Sequence, residues 1–181
     1  QRIERLITDY SQMLKDEVAL SKEKMKRINL KLIARSVVDD FNSIYETKRG
    51  IKIILNDLNN QEEYFINGIE NRVEQIIANL LDNSISFSDD NKKILVEVSK
   101  DDKDKIILRV IDEGKGFKES NTKKIFDRFY TNRPDNFGEH SGLGLNIVKN
   151  LVDLHDATIS AANNTAQKGA NVEIIFPKSQ T

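Results

Sequence analysis

Apolar residues recur at spacings of three and four in the first segment of the chain, where Ile3, Leu6, Ile7, Tyr10, Met13 and Leu14 alternate with charged residues. That period predicts an amphipathic helix with one apolar stripe. Lys22, Glu23, Lys24, Lys26 and Arg27 then break the pattern. A hinge or a helix end is expected between Ser21 and Arg27, with one continuous solvated helix as the competing reading. Leu30 to Thr47 returns to helical period, with Leu32, Ile33, Val37, Phe41, Ile44 and Tyr45 on one face, and Gly50 supplies a left-handed stop. Ile51–Asn56 and Glu63–Asn67 read as short strands. Ile69–Phe87 reads as a further helix with Val73, Ile76, Ile77, Leu80 and Leu81 inward.

Lys93–Ser99 and Lys105–Ile111 switch to strict alternation, with Ile94, Val96 and Val98 facing one way and Ile106, Leu108 and Val110 forming the matching face. Two such runs joined by the charged stretch Lys100–Asp104 predict a hairpin with a solvated turn. Asp112 to Ser141 is polar and spotted with glycine, apart from a short helical stretch at Thr122–Phe129. A last helix is expected over Leu143–His155, then strands over Ala157–Ala162 and Asn171–Phe176. The succession α-β-β-α-β-β-α-β-β, read with hairpins and without βαβ crossovers, predicts an α/β (α+β) sandwich. Its mixed, mostly antiparallel sheet would be covered by helices on one face, behind an N-terminal helix.

Composition narrows the possible partners. With 28 basic and 29 acidic residues the net charge is -1, which gives no general basic surface for nucleic acid. The absence of cysteine excludes disulfides and thiolate metal sites and is compatible with a reducing compartment. At 38% hydrophobic and 31% charged the chain is composed to fold. No apolar run approaches the roughly 18 residues that span a bilayer. The chain opens on Gln1 within a helical pattern and reads as a soluble piece of something longer.

Three patches could carry chemistry. Asn79 and Asn83, four apart on a helix, stack on one side, away from the apolar stripe. Two outward-facing amide oxygens can complete the shell of a hard cation such as Mg²⁺, which keeps waters and shares phosphate oxygens; two solvated asparagines are the plainer reading. Asp112-Glu113-Gly114-Lys115-Gly116 follows directly on a strand. Glycine lets such a turn approach a ligand closely, and a carboxylate fixed in it can accept a hydrogen bond from an exocyclic amine such as that of adenine. A plain glycine-rich turn is the alternative. Gly142-Leu143-Gly144-Leu145 opens the last helix, where free N–H groups suit phosphate oxygens. No Lys-Ser/Thr follows, so it is not a P-loop.

Taken in order, these patches resemble the histidine-kinase catalytic domain of the gyrase, Hsp90, MutL and histidine-kinase ATPase superfamily. Asn79-Leu-Leu-Asp-Asn83 is similar to its N box, Asp112–Gly116 to its first G box, Ile125-Phe-Asp-Arg-Phe-Tyr130 to its F box and Gly142–Leu145 to its second G box. Gly169-Ala170 and Pro177 match its terminal strands. Ser86-Phe87-Ser88 and Tyr130-Thr-Asn-Arg-Pro134 resemble ChvG-type kinases. Residues 1–27 are similar to the second helix of a dimerisation and phosphoacceptor hairpin plus a hinge, and 28–181 to the catalytic ATP-binding domain.

The resemblance implies ATP bound under a lid at about Thr131–Gly142. Asp112, in the turn of Gly114 and Gly116, would take the adenine amine. Asn83 with Asn79 would hold Mg²⁺ and phosphate, and Gly142, Leu143, Gly144 and Leu145 would meet the phosphates. Phe126 and Phe129 would anchor the lid, and Phe87 and Tyr130 would line the pocket. Two departures weaken the expected positive charge near the phosphates: the family often has basic residues where Ser86 and Thr131 stand. Arg133 or Arg128 could replace it, or each could be a solvated loop arginine.

The implied reaction is transfer of the γ-phosphoryl group of ATP to a histidine on the phosphoacceptor hairpin of a homodimer, and thence to a response regulator. A degenerate nucleotide-sensing or docking module is the alternative. Hydrolytic members of the superfamily carry a Glu where Asn79 stands, and an amide cannot take a proton from water. His140 and His155, the only histidines, lack the sequence context of an acceptor. His155 is expected to partner carbonyls at a helix end, where a cation suits the dipole. The acceptor is therefore expected on the hairpin's first helix, so that the chain does not label itself. The whole protein is expected in the inner membrane, with this part cytoplasmic and reaching the membrane only through N-terminal segments.

Overall fold

The computed structural model describes residues 24–61, 63–117, 122–126, 144–164 and 168–179. The helix expected at Ile3–Leu14 lies outside the described residues, as do the expected lid, Arg128, Phe129, Tyr130, Thr131, Arg133, His140, Gly142 and Leu143.

Strand β1 (Lys26–Asn29) leads straight into helix α1 (Leu30–Arg49). Asn29 makes that junction: its Oδ1 accepts the backbone N–H of Lys31, which caps the helix, and that of Tyr64, both at 3.2 Å. The 100° step of a helix sends Leu30, Ile33, Ala34, Val37, Val38 and Phe41 inward. Leu32, expected on that face, falls on the opposite one and is 56% exposed. Gly50, in the left-handed region at φ 65°, ends α1 as expected, and its N–H returns to the Glu46 carbonyl at 3.0 Å.

Strands β2 (Lys52–Asp57) and β3 (Phe65–Gly68) form where short strands were expected, but they do not pair with each other. β3 pairs antiparallel with β1, so Lys26 and Arg27, expected in a hinge, are already strand. Arg27 also lays its guanidinium 3.9 Å from the centre of the Phe65 ring. Helix α2 (Glu70–Phe87), strands β4 (Lys93–Lys100) and β5 (Ile106–Asp112), a 3-10 turn at Thr122–Phe126, helix α3 (Gly144–Leu154), and strands β6 (Thr158–Asn163) and β7 (Ala170–Phe176) follow.

The main sheet has the order β2-β4-β5-β7-β6. The hairpin β4–β5 pairs Val96 with Val110, as the alternation predicts. β5–β7 and β6–β7 are also antiparallel. β2 and β4, however, are parallel, with Ile53 opposite Ile94. The expectation of hairpins without crossovers is therefore wrong at this edge. A parallel pair needs a long connection, and β3 with α2 supplies it.

Alternate residues of the central strands, among them Ile94, Val96, Val98, Ile106, Leu108, Val110, Val172, Ile174 and Phe176, are buried against the helices. α2 lies between α1 and α3 in that layer and packs against both. The result is the expected sandwich of a mixed sheet and a helical layer. Arg49, the last residue of α1, fixes the end of α2: its guanidinium donates to the carbonyls of Ile85 at 2.7 Å and Ser88 at 2.6 Å. Those two bonds satisfy carbonyls that a helix end leaves open. Among the described residues no helix is long and apolar enough to cross a membrane.

Candidate functional site

The site begins where β5 ends. Alternation puts Asp112 on the same buried face as Val110, and only 3% of it is exposed. Its Oδ1 accepts the N–H of Gly114 at 2.9 Å, closing the turn locally, and the N–H of Ala170 at 3.1 Å, from the start of β7. Burial raises the carboxyl above its ordinary pKa, against the lowering effect of those two N–H groups and of the Ser84 hydroxyl. A carboxylate has about four lone-pair sites. Two N–H groups and one hydroxyl leave room for one further donor. Glu113, the neighbouring acid, is spent elsewhere: its Oε1 accepts the N–H of Lys93 at 3.0 Å.

Ser84 brings α2 to the carboxylate, and Asn83 precedes it on the same turn. Asn79 and Asn83 are one helical turn apart as expected, but they do not face solvent: their exposures are 5% and 9%. Their burial follows from the place of α2 in the middle of its layer, where nearly its whole circumference is covered. An amide carries its own donors and acceptor and tolerates burial far better than a charge. Phe87, at the end of α2, lies over the turn: a Cβ on Gly114 would sit 2.4 Å from the Phe87 carbonyl oxygen. Only glycine permits that approach.

Ser86 stands where a basic residue was expected in relatives. It is 2% exposed, and its hydroxyl donates to the Asn83 carbonyl at 2.8 Å, so it brings no charge toward the amides. Gly144 and Leu145 open α3, which packs on α2, with Leu145 buried in the core. Asn146, in the same turn, donates to the Phe126 carbonyl at 3.2 Å and ties the 3-10 turn to this helix. Phe126 is itself buried, in the packing role open to it from the sequence. Gly116 takes a positive φ of 78° in the loop after Asp112.

The sequence reading missed the side chains that hold the turn from outside: Ser84 on α2, and Asn163 and Asn164 at the end of β6. Asn163 bonds the backbone of Phe117, and Asn164 donates to the Asp112 carbonyl. Two consecutive asparagines five and six residues before Gly169 were the one visible signal. His155 does cap its own helix, with Nδ1 on the Leu151 carbonyl at 2.8 Å. It also accepts the N–H of Ile69 at Nε2, 3.1 Å away, and burial lowers its pKa. It is therefore a neutral clamp and not the dipole-stabilised cation expected.

Among the described residues no group of three or more His, Cys, Asp and Glu side chains could hold a metal ion. The paired amides of Asn79 and Asn83 fit a different kind of site. Neutral oxygen donors suit a hard cation that takes its remaining ligands from water and phosphate.

These features place the chain in a known class. It belongs to the family of histidine kinase-, DNA gyrase B- and HSP90-like ATPases, whose model matches residues 68–180. Sensor protein ChvG of Agrobacterium fabrum (strain C58) is 30% identical over 191 aligned residues, covering 100% of this chain and 32% of that protein. The chain thus spans about a third of the length of the curated relatives it matches. The nucleotide-free catalytic domain of histidine kinase ThkA matches with a TM-score of 0.75 at 25% identity, over 87% of this chain and 97% of that one. ThkA in complex with the response regulator protein TrrA shares the fold, with a TM-score of 0.71 at 22% identity over 96% of this chain and 48% of that one. The resemblance drawn from the sequence boxes is borne out, its ChvG-type likeness included.

Proposed function

We propose that this chain is the ATP- and Mg²⁺-binding catalytic module of a two-component sensor histidine kinase. It transfers the γ-phosphoryl group of ATP to a histidine on the phosphoacceptor hairpin of the full-length homodimer, from which a response regulator receives it. The observation that carries the reading is Asp112, a buried carboxylate held by two backbone N–H groups and the Ser84 hydroxyl, with capacity for one more donor. That remaining capacity suits the exocyclic amine of adenine.

In this reading Asp112 accepts the amine, and Gly114 and Gly116 shape the turn that lets the base approach. Phe87 and Tyr130 line the base. Asn83 and Asn79 hold Mg²⁺ through their amide oxygens, and the bound ion neutralises phosphate charge. Gly142, Leu143, Gly144 and Leu145 offer backbone N–H groups to the phosphates at the start of α3. Arg133 supplies positive charge, a role that buried Ser86 leaves open. Phosphoryl transfer depends on positioning and charge neutralisation more than on covalent chemistry, and a neutral imidazole acceptor needs no base from this module. Residues 1–27 belong to the hairpin and its hinge, with Lys26 and Arg27 already stitched to the catalytic domain, 28–181, by β1–β3 pairing. As the ATP-using part of a sensor protein, the kind of protein its relatives are named as, the module would work where ATP is, on the cytoplasmic side of an inner membrane.

The test is transfer in trans. A hairpin carrying the acceptor histidine, supplied with labelled ATP, gains acid-labile phosphate from the wild-type chain and not from Asn83→Asp. ATP binding without transfer to any hairpin would favour the nucleotide-sensing or docking alternative.

A further inference from the structure

Asp112 is the last residue of β5, opposite Ile94, and beyond it residues 113–117 leave the sheet and must keep the carboxylate's turn in place without strand neighbours of their own. An unsupported loop of this kind would leave its backbone groups to solvent and its side chains free to wander. Besides the bonds of Gly114, Ala170 and Ser84 to the carboxylate and of Glu113 to Lys93, support comes from the end of β6, which is separated from β5 by β7. Asn163 takes both polar groups of one residue: its Oδ1 accepts the N–H of Phe117 at 2.6 Å, and its Nδ2 donates to the Phe117 carbonyl at 3.2 Å. One side-chain amide thereby does what a neighbouring strand would do. Asn164 reaches the other end of the segment, donating from Nδ2 to the Asp112 carbonyl at 3.0 Å. Its own N–H is fixed on the Gly169 carbonyl at 2.9 Å.

The fit is close at both places. A Cβ on Gly116 would lie 2.6 Å from Asn163 Oδ1, and one on Gly169 would lie 2.7 Å from Asn164 Nδ2. Neither asparagine touches the carboxylate itself. We propose that Asn163 and Asn164 are positioning residues for base recognition: together they clamp the two ends of the 112–117 segment and so aim the Asp112 carboxylate at the base. The inference rests on the assignment of Asp112 to the adenine amine. It adds that the selectivity of the site for that amine is set from the edge strand, by two side chains that act through the backbone of the turn.

A structural role and a positioning role separate in one ratio. The two probes are ATP and purine riboside triphosphate, which is the same nucleotide without the exocyclic amine. A hydrogen bond to a charged group is worth about 1.5–3 kcal/mol, so the wild-type chain should favour ATP by about tenfold or more. Asn164→Asp keeps the size of the side chain but replaces the Nδ2 donor with an acceptor oxygen facing the Asp112 carbonyl. Asn163→Ala removes both bonds to Phe117, with Asn163→Ser as the milder substitute if that variant does not fold. Each should lower the preference to below about threefold, by weakening ATP while leaving the amine-free nucleotide nearly unchanged. Loss of folded protein would weaken both nucleotides alike and leave the ratio where it was. If Asp112→Asn abolishes the preference but both asparagine variants keep the full wild-type ratio, the positioning role is refuted and the assignment of Asp112 stands. If the wild-type chain itself shows no preference, the assignment of Asp112 fails and this inference fails with it.

Discussion

Asp112 Oδ1 accepts the backbone N–H of Ala170 at 3.1 Å, across 58 residues of sequence. That bond joins the last residue of β5 to the first of β7, and so fixes the site's carboxylate to the central sheet. It also makes the residue just before Ala170 critical. Gly169 sits at φ 141°, and a Cβ there would lie 1.9 Å from the Asp112 carbonyl oxygen. Neither atom is at the end of a flexible side chain, so the backbone itself would have to move.

Gly169→Ala should therefore destabilise the chain by on the order of 2 kcal/mol, in the range for a residue forced into a disfavoured backbone region. It should also weaken ATP binding by disturbing Asp112. Urea unfolding of the variant and the wild type checks the first effect, and calorimetric titration of ATP the second. A variant as stable as the wild type would show that this approach is relaxed in solution.

His155 makes stability depend on pH in a defined direction. It is buried between α3 and the start of α2, bonded at both ring nitrogens as the neutral form, and its pKa lies below the ordinary 6.5. Burial is the largest cause, partly offset by the Leu151 carbonyl and the nearby charge of Asp156. The unfolded chain takes up a proton near pH 6.5 and the folded chain resists it, so the stabilisation is complete above that pH and is lost as the pH falls below it. Urea midpoints at pH 7.5 and 5.5 should differ more for the wild type than for His155→Gln. Equal differences would assign the pH dependence to other groups.

Asp57 anchors the start of α1. Lys31 Nζ lies 2.8 Å from its Oδ2, and the Tyr64 hydroxyl donates to its Oδ1. Desolvation alone would raise the carboxyl, but the bonds from Lys31 and Tyr64 outweigh it and bring its pKa to about 2, while the Tyr64 hydroxyl is pushed up to about 12. The stabilisation from Asp57 is present above the ordinary 3.8 and is lost as the pH falls toward 2. Tyr64→Phe should cost about 1.5–3 kcal/mol, as for a hydrogen bond to a charged group, and move the Asp57 titration, followed by NMR, upward toward its ordinary value. A titration that does not move would separate the two groups.

Much of this arrangement was legible in the sequence because it is local. The period of three and four marked α2 within a residue of its observed start, and alternation over residues 93–111 marked the β4–β5 hairpin with its correct inward face. What was missed depends on contacts between distant segments. β1 is four residues with no apolar alternation, and it exists because β3 offers it a partner. The parallel pairing of β2 with β4 spans the long connection through β3 and α2, which no short window of sequence contains. The order of the boxes singled out Asp112, Asn79 and Asn83. The burial of the two amides and the clamps from Ser84, Ala170, Asn163 and Asn164 come only from the folded layers meeting at one turn.

On this reading the end of β5 and the amide face of α2 form one adenine-nucleotide site. Calorimetric titration of ATP with and without Mg²⁺, on the wild type, Asp112→Asn and Asn83→Asp, tests it most directly. The wild-type chain should bind ATP, and more tightly with Mg²⁺. Asp112→Asn should lose about tenfold or more in either condition, as expected for a hydrogen bond to a charged group. Asn83→Asp should lose its affinity chiefly through the Mg²⁺-dependent part. If both variants bind ATP as the wild type does, with the same response to Mg²⁺, the nucleotide is held elsewhere and the account is wrong.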